Sequence, residues 1–221
     1  MNLILDLDDT IIPSSRLYEQ ALEKTLGGDK LWKETYLAAR QQVKTTLPSG
    51  HVAARNRLLY FKRYLELRLD HERSAIDLYD QYEHDLGSAI QEWSRVHGRF
   101  DLLCELSERM PLYLLTNENT RTQLAKLHAM TEGRLSIFTG ILTSEEVGVE
   151  KPHSYIFHTL LRRFGIAVEE SVMVGDSFQN DILPARNLGM RALMTHEFIR
   201  GFDPEGPGLN SLSELLELGE L

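Results

Sequence analysis

The stretch LILDLDDT, residues 3–10, decides the fold. Leu3, Ile4 and Leu5 open a short apolar run that continues to Leu7, and Asp8, Asp9 and Thr10 end it. Pro13 and two serines follow. The pattern predicts a buried strand over residues 3–7 that runs straight into a polar loop. In open α/β sheets the reactive crevice lies at the carboxyl ends of the strands, so acids at such an end point to chemistry. Asp6 and Asp8 are two apart, and both face the crevice if the backbone keeps its alternation.

From about Ser15 to Ser94 nothing reads as a strand. Apolar residues recur there at helical spacing, interrupted by Gly27-Gly28 and Pro48-Ser49-Gly50. After this block the texture alternates. Phe100, Leu103, Leu106 and Met110 mark a helix stopped by Pro111, residues 112–115 a strand, 119–128 a helix, and 140–143 a short strand. Residues 154–164 are then predicted helical, 172–174 a buried strand, 181–188 a helix closed by Gly189, and 191–194 a last strand. Residues 201–208 are predicted as a loop before a weak terminal helix. Strands alternating with helices imply a parallel sheet covered on both faces, joined by right-handed crossovers. The helical block is therefore an insertion after the first strand.

The chain has 221 residues, 42% hydrophobic and 26% charged, enough to bury a core without staples. A formal net charge of −9 argues against a protein that grips nucleic acid or anionic membrane across its whole surface. Basic stripes interleaved with aromatics are missing too, so no nucleic-acid partner is expected. The single cysteine, Cys104, lies in an apolar helical pattern and reads as a small inert core residue. The N-terminus has no basic region ahead of its apolar run, and no stretch approaches the ~18 apolar residues of a membrane span. A cytoplasmic protein with no membrane partner is expected; oligomeric state is not legible.

The strand ends are unusually polar. The first carries Asp6, Asp8, Asp9 and Thr10, the second Thr116 and Asn117. The loop near the third carries Glu150, Lys151 and Pro152, and the fourth ends in Gly175, Asp176 and Ser177 with Asn180 and Asp181 beyond. Carboxylates crowded at one edge repel strongly at low dielectric, and a divalent cation removes that penalty. Hard oxygen ligands with an incomplete protein shell suit Mg²⁺. A carboxylate beside such an ion can attack phosphorus and form an acyl phosphate. Aspartates also cap helices and favour turns, so each alone has a plain structural explanation; all four groups in order do not.

These residues resemble the motifs of the haloacid dehalogenase (HAD) superfamily. DLDDT at residues 6–10 is similar to its first motif and LLTN at 114–117 to its second. KP at 151–152 is similar to the third, and GDSFQND at 175–181 to the fourth. The resemblance spans the sheet and implies an α/β fold: a Rossmann-like parallel core of residues 1–14 and 95–221, with residues 15–94 as an inserted all-helical cap domain. It implies that Asp6 attacks phosphorus while Asp8 protonates the leaving alkoxide and later deprotonates water. Asp6, the backbone carbonyl of Asp8, and Asp176 would hold Mg²⁺. Thr116, Asn117 and Lys151 would bind the phosphoryl group, Thr116 and Lys151 with a catalytic role, and Asp181 and Asn180 would stand behind them. Asp9 occupies a position often filled by glycine in relatives, and aspartate tolerates the positive φ such a turn needs.

The dehalogenase branch lacks the second acid of the first motif. Asp8 therefore favours phosphate-ester cleavage: a Mg²⁺-dependent phosphatase of small phosphorylated metabolites. A phosphomutase or phosphotransferase shares the same core residues and remains an alternative. A phospho-accepting receiver, a signalling module, carries its acceptor in mid-chain on about 120 residues with no helical cap. Within the insertion, Arg40, Lys44, Arg55, Arg57, Lys62, Arg63 and Arg68 face one acid, Glu66, between residues 40 and 68. Projecting residues 52–69 as one helix sets Arg57 and Arg68 between two apolar strips. Arg57 is either paired with a neighbouring acid or reaches a second anionic group of the substrate. His51, His71 and His84 lack ligand-like spacing and read as surface residues.

Overall fold

The computed structural model describes residues 1–28, 30–48, 50–198 and 208–217. Strand β1 (Asn2–Leu5) is followed by helices α1 (Ser14–Leu26), α2 (Trp32–Thr46), α3 (Arg57–Arg68) and α4 (Ala75–His97). Then come α5 (Arg99–Arg109), β2 (Leu112–Thr116), α6 (Thr120–Met130), β3 (Phe138–Thr143) and α7 (Ser144–Val147). The order closes with α8 (Ser154–Phe164), β4 (Ser171–Gly175), α9 (Leu183–Asn187), β5 (Arg191–Thr195) and β6 (Gly208–Leu209). The six strands form one parallel sheet in the order β3-β2-β1-β4-β5-β6. The fold is α/β, as the sequence predicts.

The order reverses at β1: the chain passes from β1 to β2 on one side and returns to β4 on the other. A crevice opens at such a switch point, at the carboxyl ends of the strands. Register fixes what meets there. Leu5 pairs with Leu114 on one side and with Val174 on the other, and the Asp6 amide donates to the Val174 carbonyl at 2.9 Å. Asp6, Thr116 and Asp176 thus leave three neighbouring strands at nearly one level.

Alternation along β1 divides two cores. Leu3 and Leu5 face a cluster with Leu114, Val174 and residues of the inserted helices; Ile4 faces one with Leu115, Met173, Phe157 and Leu160 of α8. Both faces are covered, which is why the strands read as continuous apolar runs. Within the insertion, Phe61 lies 5.7 Å from Tyr36 and 5.6 Å from Tyr82, ring to ring, and is fully buried.

The details depart from expectation in five places. The first strand stops at Leu5, because Leu7 turns its carbonyl to the amides of Ile11 and Ile12. Residues 52–69 are not one helix: a 3₁₀ turn (Val52–Arg55) ends at Asn56, whose side chain accepts from the Leu58 amide and starts α3 afresh. The helix expected over 181–188 begins as a π-helical turn (Phe178–Ile182). The terminal helix is a 3₁₀ segment (Leu212–Leu216) preceded by β6, which two residues are too short to announce by periodicity. Cys104 is half-buried rather than in the core, with burial pushing its thiol up. The loop expected over 201–208 lies outside the described residues as far as 207. His51, His71 and His84 are exposed. No described helix is long and apolar enough to cross a membrane.

Truncating Phe61 removes a fully packed ring from between Tyr36 and Tyr82, and Phe61→Ala should cost about 3–5 kcal/mol. Urea denaturation followed by circular dichroism checks this; a loss under 1 kcal/mol would contradict the packing described.

Candidate active site

Three carboxylates converge where β1 and β4 end. One oxygen from each of Asp6, Asp176 and Asp181 lies within 4.8 Å of the others. Asp181 reaches this point because residue 175 is glycine: a Cβ there would stand 2.5 Å from the Asp181 Cβ. The π-helical turn that follows returns the Asp181 carboxylate to accept from the Ser177 amide at 3.1 Å. The side chain of Asn180 has no hydrogen-bond partner among the described residues, and only its amide is engaged, with Ser177 Oγ.

Lys151 is the only cation bonded to this group among the described residues. Its Nζ donates to Asp6 Oδ1 and Asp181 Oδ1, both at 2.6 Å, and to the Leu115 carbonyl at 2.8 Å. The acids hold the ammonium charged despite burial, which by itself would lower its pKa. Asn117 fixes the lysine's backbone from both ends of its amide, accepting from Lys151 N at 2.7 Å and donating to Lys151 O at 2.9 Å. The Asn117 side chain is thereby engaged in holding Lys151.

One ammonium does not balance three carboxylates. Burial pushes Asp6 up, Lys151 opposes this, and Asp181 and Asp176 reinforce it. Burial, Asp181 and Asp9 push Asp176 up to about 7. Two carboxylates about 4 Å apart repel by roughly 4 kcal/mol at an effective dielectric of 20. The all-oxygen donor set and the uncompensated negative charge fit a hard divalent cation.

Asp8 faces a different set of partners. Lys126 of α6 donates to Asp8 Oδ1 at 2.6 Å, Tyr18 of α1 donates to the same oxygen at 2.7 Å, and Gln123 donates to Oδ2 at 2.9 Å. Burial resists ionisation of Asp8, but the Lys126 charge and the bonds from Lys126 and Gln123 outweigh it and hold the carboxyl well below its usual range. Burial and the nearby Asp8 push the Tyr18 hydroxyl far up, so it stays protonated as a donor. Gln123 also donates to Thr116 Oγ1 at 2.6 Å, which leaves the Thr116 hydroxyl proton free to donate elsewhere. Asp9 adopts φ +57°, as its glycine-like position requires, and its carboxylate accepts from the Ser15 amide at 2.9 Å.

Glu118 was not anticipated. Directly after Thr116-Asn117 it takes φ +146°, an uncommon backbone state for a residue with a side chain, and is buried. Its carboxylate pairs with Arg57, whose guanidinium stacks 4.1 Å over the Tyr18 ring. Arg57 therefore has an acid partner, the first of the two readings its sequence position allowed. Gln123 and Lys126 were also missed. They stand three apart on the buried face of α6 with Leu127 and Met130. Two polar residues interrupting an apolar stripe just after the second motif were the available signal.

A family model described as haloacid dehalogenase-like hydrolase matches residues 1–189. The chain belongs to this family of hydrolases. It is similar to the ribulose-1,5-bisphosphate 5-phosphatase of Halopiger xanaduensis, 35% identical over 91% of this chain and 84% of that protein. It is similar as well to the glyceraldehyde 3-phosphate phosphatase of Methanocaldococcus jannaschii, 36% identical over 98% of this chain and 95% of that one. Among solved structures, the magnesium-bound HAD-hydrolase YfnB of Bacillus subtilis shares the fold, with a TM-score of 0.71 at 23% identity over 100% of this chain and 98% of that one.

Two outcomes follow for this HAD hydrolase. Asp176, with its folded pKa raised, binds its proton more tightly in the native state, so its stabilising effect is present in acid and lost as pH rises from about 4 towards 7. In chelator, Asp176→Asn should exceed the wild type in melting temperature by a margin that grows from pH 5 to pH 7.5 and shrinks when Mg²⁺ is added. A margin independent of pH and Mg²⁺ would contradict the charge crowding. Lys126→Met should raise the Asp8 pKa and move the acidic limb of the kcat–pH profile to higher pH; an unmoved limb would show that Lys126 does not tune Asp8.

Proposed function

We propose that this HAD enzyme is a Mg²⁺-dependent phosphatase of small phosphorylated metabolites that works through a phosphorylated Asp6. It is a phosphoric monoester hydrolase. What supports this most is that two aspartates two residues apart have different surroundings: Asp6 sits among Lys151, Asp176 and Asp181, and Asp8 among Lys126, Tyr18 and Gln123. The relatives named as phosphatases of a sugar bisphosphate and of a triose phosphate support the substrate class.

Asp6, the Asp8 carbonyl and Asp176 would hold the cation, which when bound supplies charge neutralisation for the phosphoryl oxygens and for Asp6. Asp6 Oδ attacks phosphorus in line, a P–O bond forms to the carboxylate, and the P–O bond to the alkoxide breaks. Asp8 gives its proton to that alkoxide. The network around Asp8 favours its ionised form; the arriving phosphoryl dianion, a like charge, raises its pKa and helps it carry the proton. Asp8, now a carboxylate held by Lys126, takes a proton from the water that attacks the aspartyl phosphate, and inorganic phosphate leaves. The Thr116 hydroxyl, kept free to donate by Gln123, and the Lys151 ammonium, set by Asn117 and Asp181, stabilise the oxygens that gain charge. Residues 15–94 serve as a cap that closes over the substrate and excludes water.

Asp6→Asn should abolish Mg²⁺-dependent release of para-nitrophenol from para-nitrophenyl phosphate, and Asp8→Asn should lower kcat by about 10²–10⁴-fold, the usual worth of general acid–base catalysis. Full activity in Asp6→Asn, measured by absorbance with a chelator control, would reject the mechanism.

A further inference from the structure

A cavity of about 510 Å³ lies between α1, α2, the Arg55 to Tyr60 segment and the loop after β1, a size that suits a small metabolite. Asp8 and Asp9, which follow Asp6 closely in the chain, and Glu118 line it as well. Its cations fall into two groups. Lys33, Arg55 and Arg57 each have an acid partner, Glu19, Glu150 and Glu118 respectively. Arg40 and Lys44 line the same cavity, and neither has an ion pair or a hydrogen bond among the described residues.

Arg40 and Lys44 stand one turn apart on the face of α2 that also brings Tyr36 to the cavity. Arg40 is exposed and Lys44 is half-buried. Burial, with Arg40 and Arg55 nearby, pushes the Lys44 ammonium below its usual range, and Glu150 only partly offsets them. Like charges gathered in a concave, partly dry place favour an anion that neutralises them. The remaining cations of the cavity are already matched by acids, so Arg40 and Lys44 are its two cations without an acid partner among the described residues, and they are remote in sequence from Asp8, Asp9 and Glu118.

We propose that Arg40 and Lys44 bind a second phosphoryl group of the substrate, so that this enzyme acts on small metabolites carrying two phosphates. This deepens the phosphatase reading and rests on it. A phosphate dianion matches the two unpaired cations; a carboxylate matches one of them. Arg57, for which the sequence left this task open beside an acid partner, has its guanidinium engaged by Glu118 and the Tyr18 ring.

Steady-state kinetics on ribulose 1,5-bisphosphate against ribulose 5-phosphate, and on fructose 1,6-bisphosphate against fructose 6-phosphate, test the proposal. For at least one pair the wild type should show a kcat/KM at least about tenfold higher for the bisphosphate, and an Arg40→Gln/Lys44→Gln double variant should bring that ratio near one, chiefly through KM. Lys44→Arg should restore part of it. Ratios near one in the wild type, or equal losses on both members of each pair, would overturn the proposal. A selective loss on 3-phosphoglycerate instead would overturn it in favour of a carboxylate.

Calorimetric binding to Asp6→Asn separates this proposal from the catalytic reading. Bisphosphate binding that weakens at least about tenfold when Arg40 and Lys44 are also replaced supports the second-phosphate site even if no substrate is turned over. Unweakened binding overturns it even if Asp6 proves catalytic.

Discussion

Everything at the switch point follows from a shortage of positive charge. Asp6, Asp176 and Asp181 are delivered to one spot by strand register and by the glycine at 175, and Lys151 supplies one ammonium against three carboxylates. Such crowding is costly in a buried place unless a cation or a proton relieves it. The fold brings it about through rigid means: β1 and β4 are adjacent and in register, Asn117 clamps the Lys151 backbone, and Ser177 holds one Asp181 oxygen. A site built on strand ends in this way is held more tightly than one assembled from loops alone.

The same geometry separates two acids that sequence makes near neighbours. Asp6 faces the core lysine, whereas Asp8 faces α1 and α6, so their protonation equilibria move in opposite directions: Asp6 up, Asp8 down. Divergent environments of this kind let one carboxyl serve as nucleophile and the other handle protons. The insertion takes part, because Tyr18 of α1 touches Asp8 and Arg57 of α3 pairs with Glu118 behind the second strand. Those contacts make the Asp8 environment depend on how the inserted helices sit over the sheet.

What the sequence made legible was local or periodic. The apolar run ending in Asp6 to Thr10, the alternation of strands and helices, and the four polar strand ends lie within short windows. Lys126 and Gln123 were not legible as site residues, because their meaning comes from Asp8 more than a hundred residues away. Glu118 was hidden for another reason: a glutamate carries no signal of positive φ, unlike the glycine or aspartate that such a turn normally selects. The break at Asn56 was overlooked since Asn is both a tolerable helix residue and a good cap, and apolar spacing ran through it. Arg57 shows the limit of spacing arguments, which set a cation near the site and left open the partner that tertiary structure supplies.

The proposed mechanism requires the carboxylate at the end of β1 to become transiently bonded to phosphorus when a divalent cation relieves the crowding around it. Acid quenching during turnover of para-nitrophenyl phosphate with Mg²⁺, followed by peptide mass mapping, tests it most directly. The expected result is a hydroxylamine-labile phosphoryl group on Asp6 that is missing when Mg²⁺ is chelated. A phosphoryl group on another residue, or turnover with none trapped on Asp6 even when Asp8 is replaced by Asn, would contradict it.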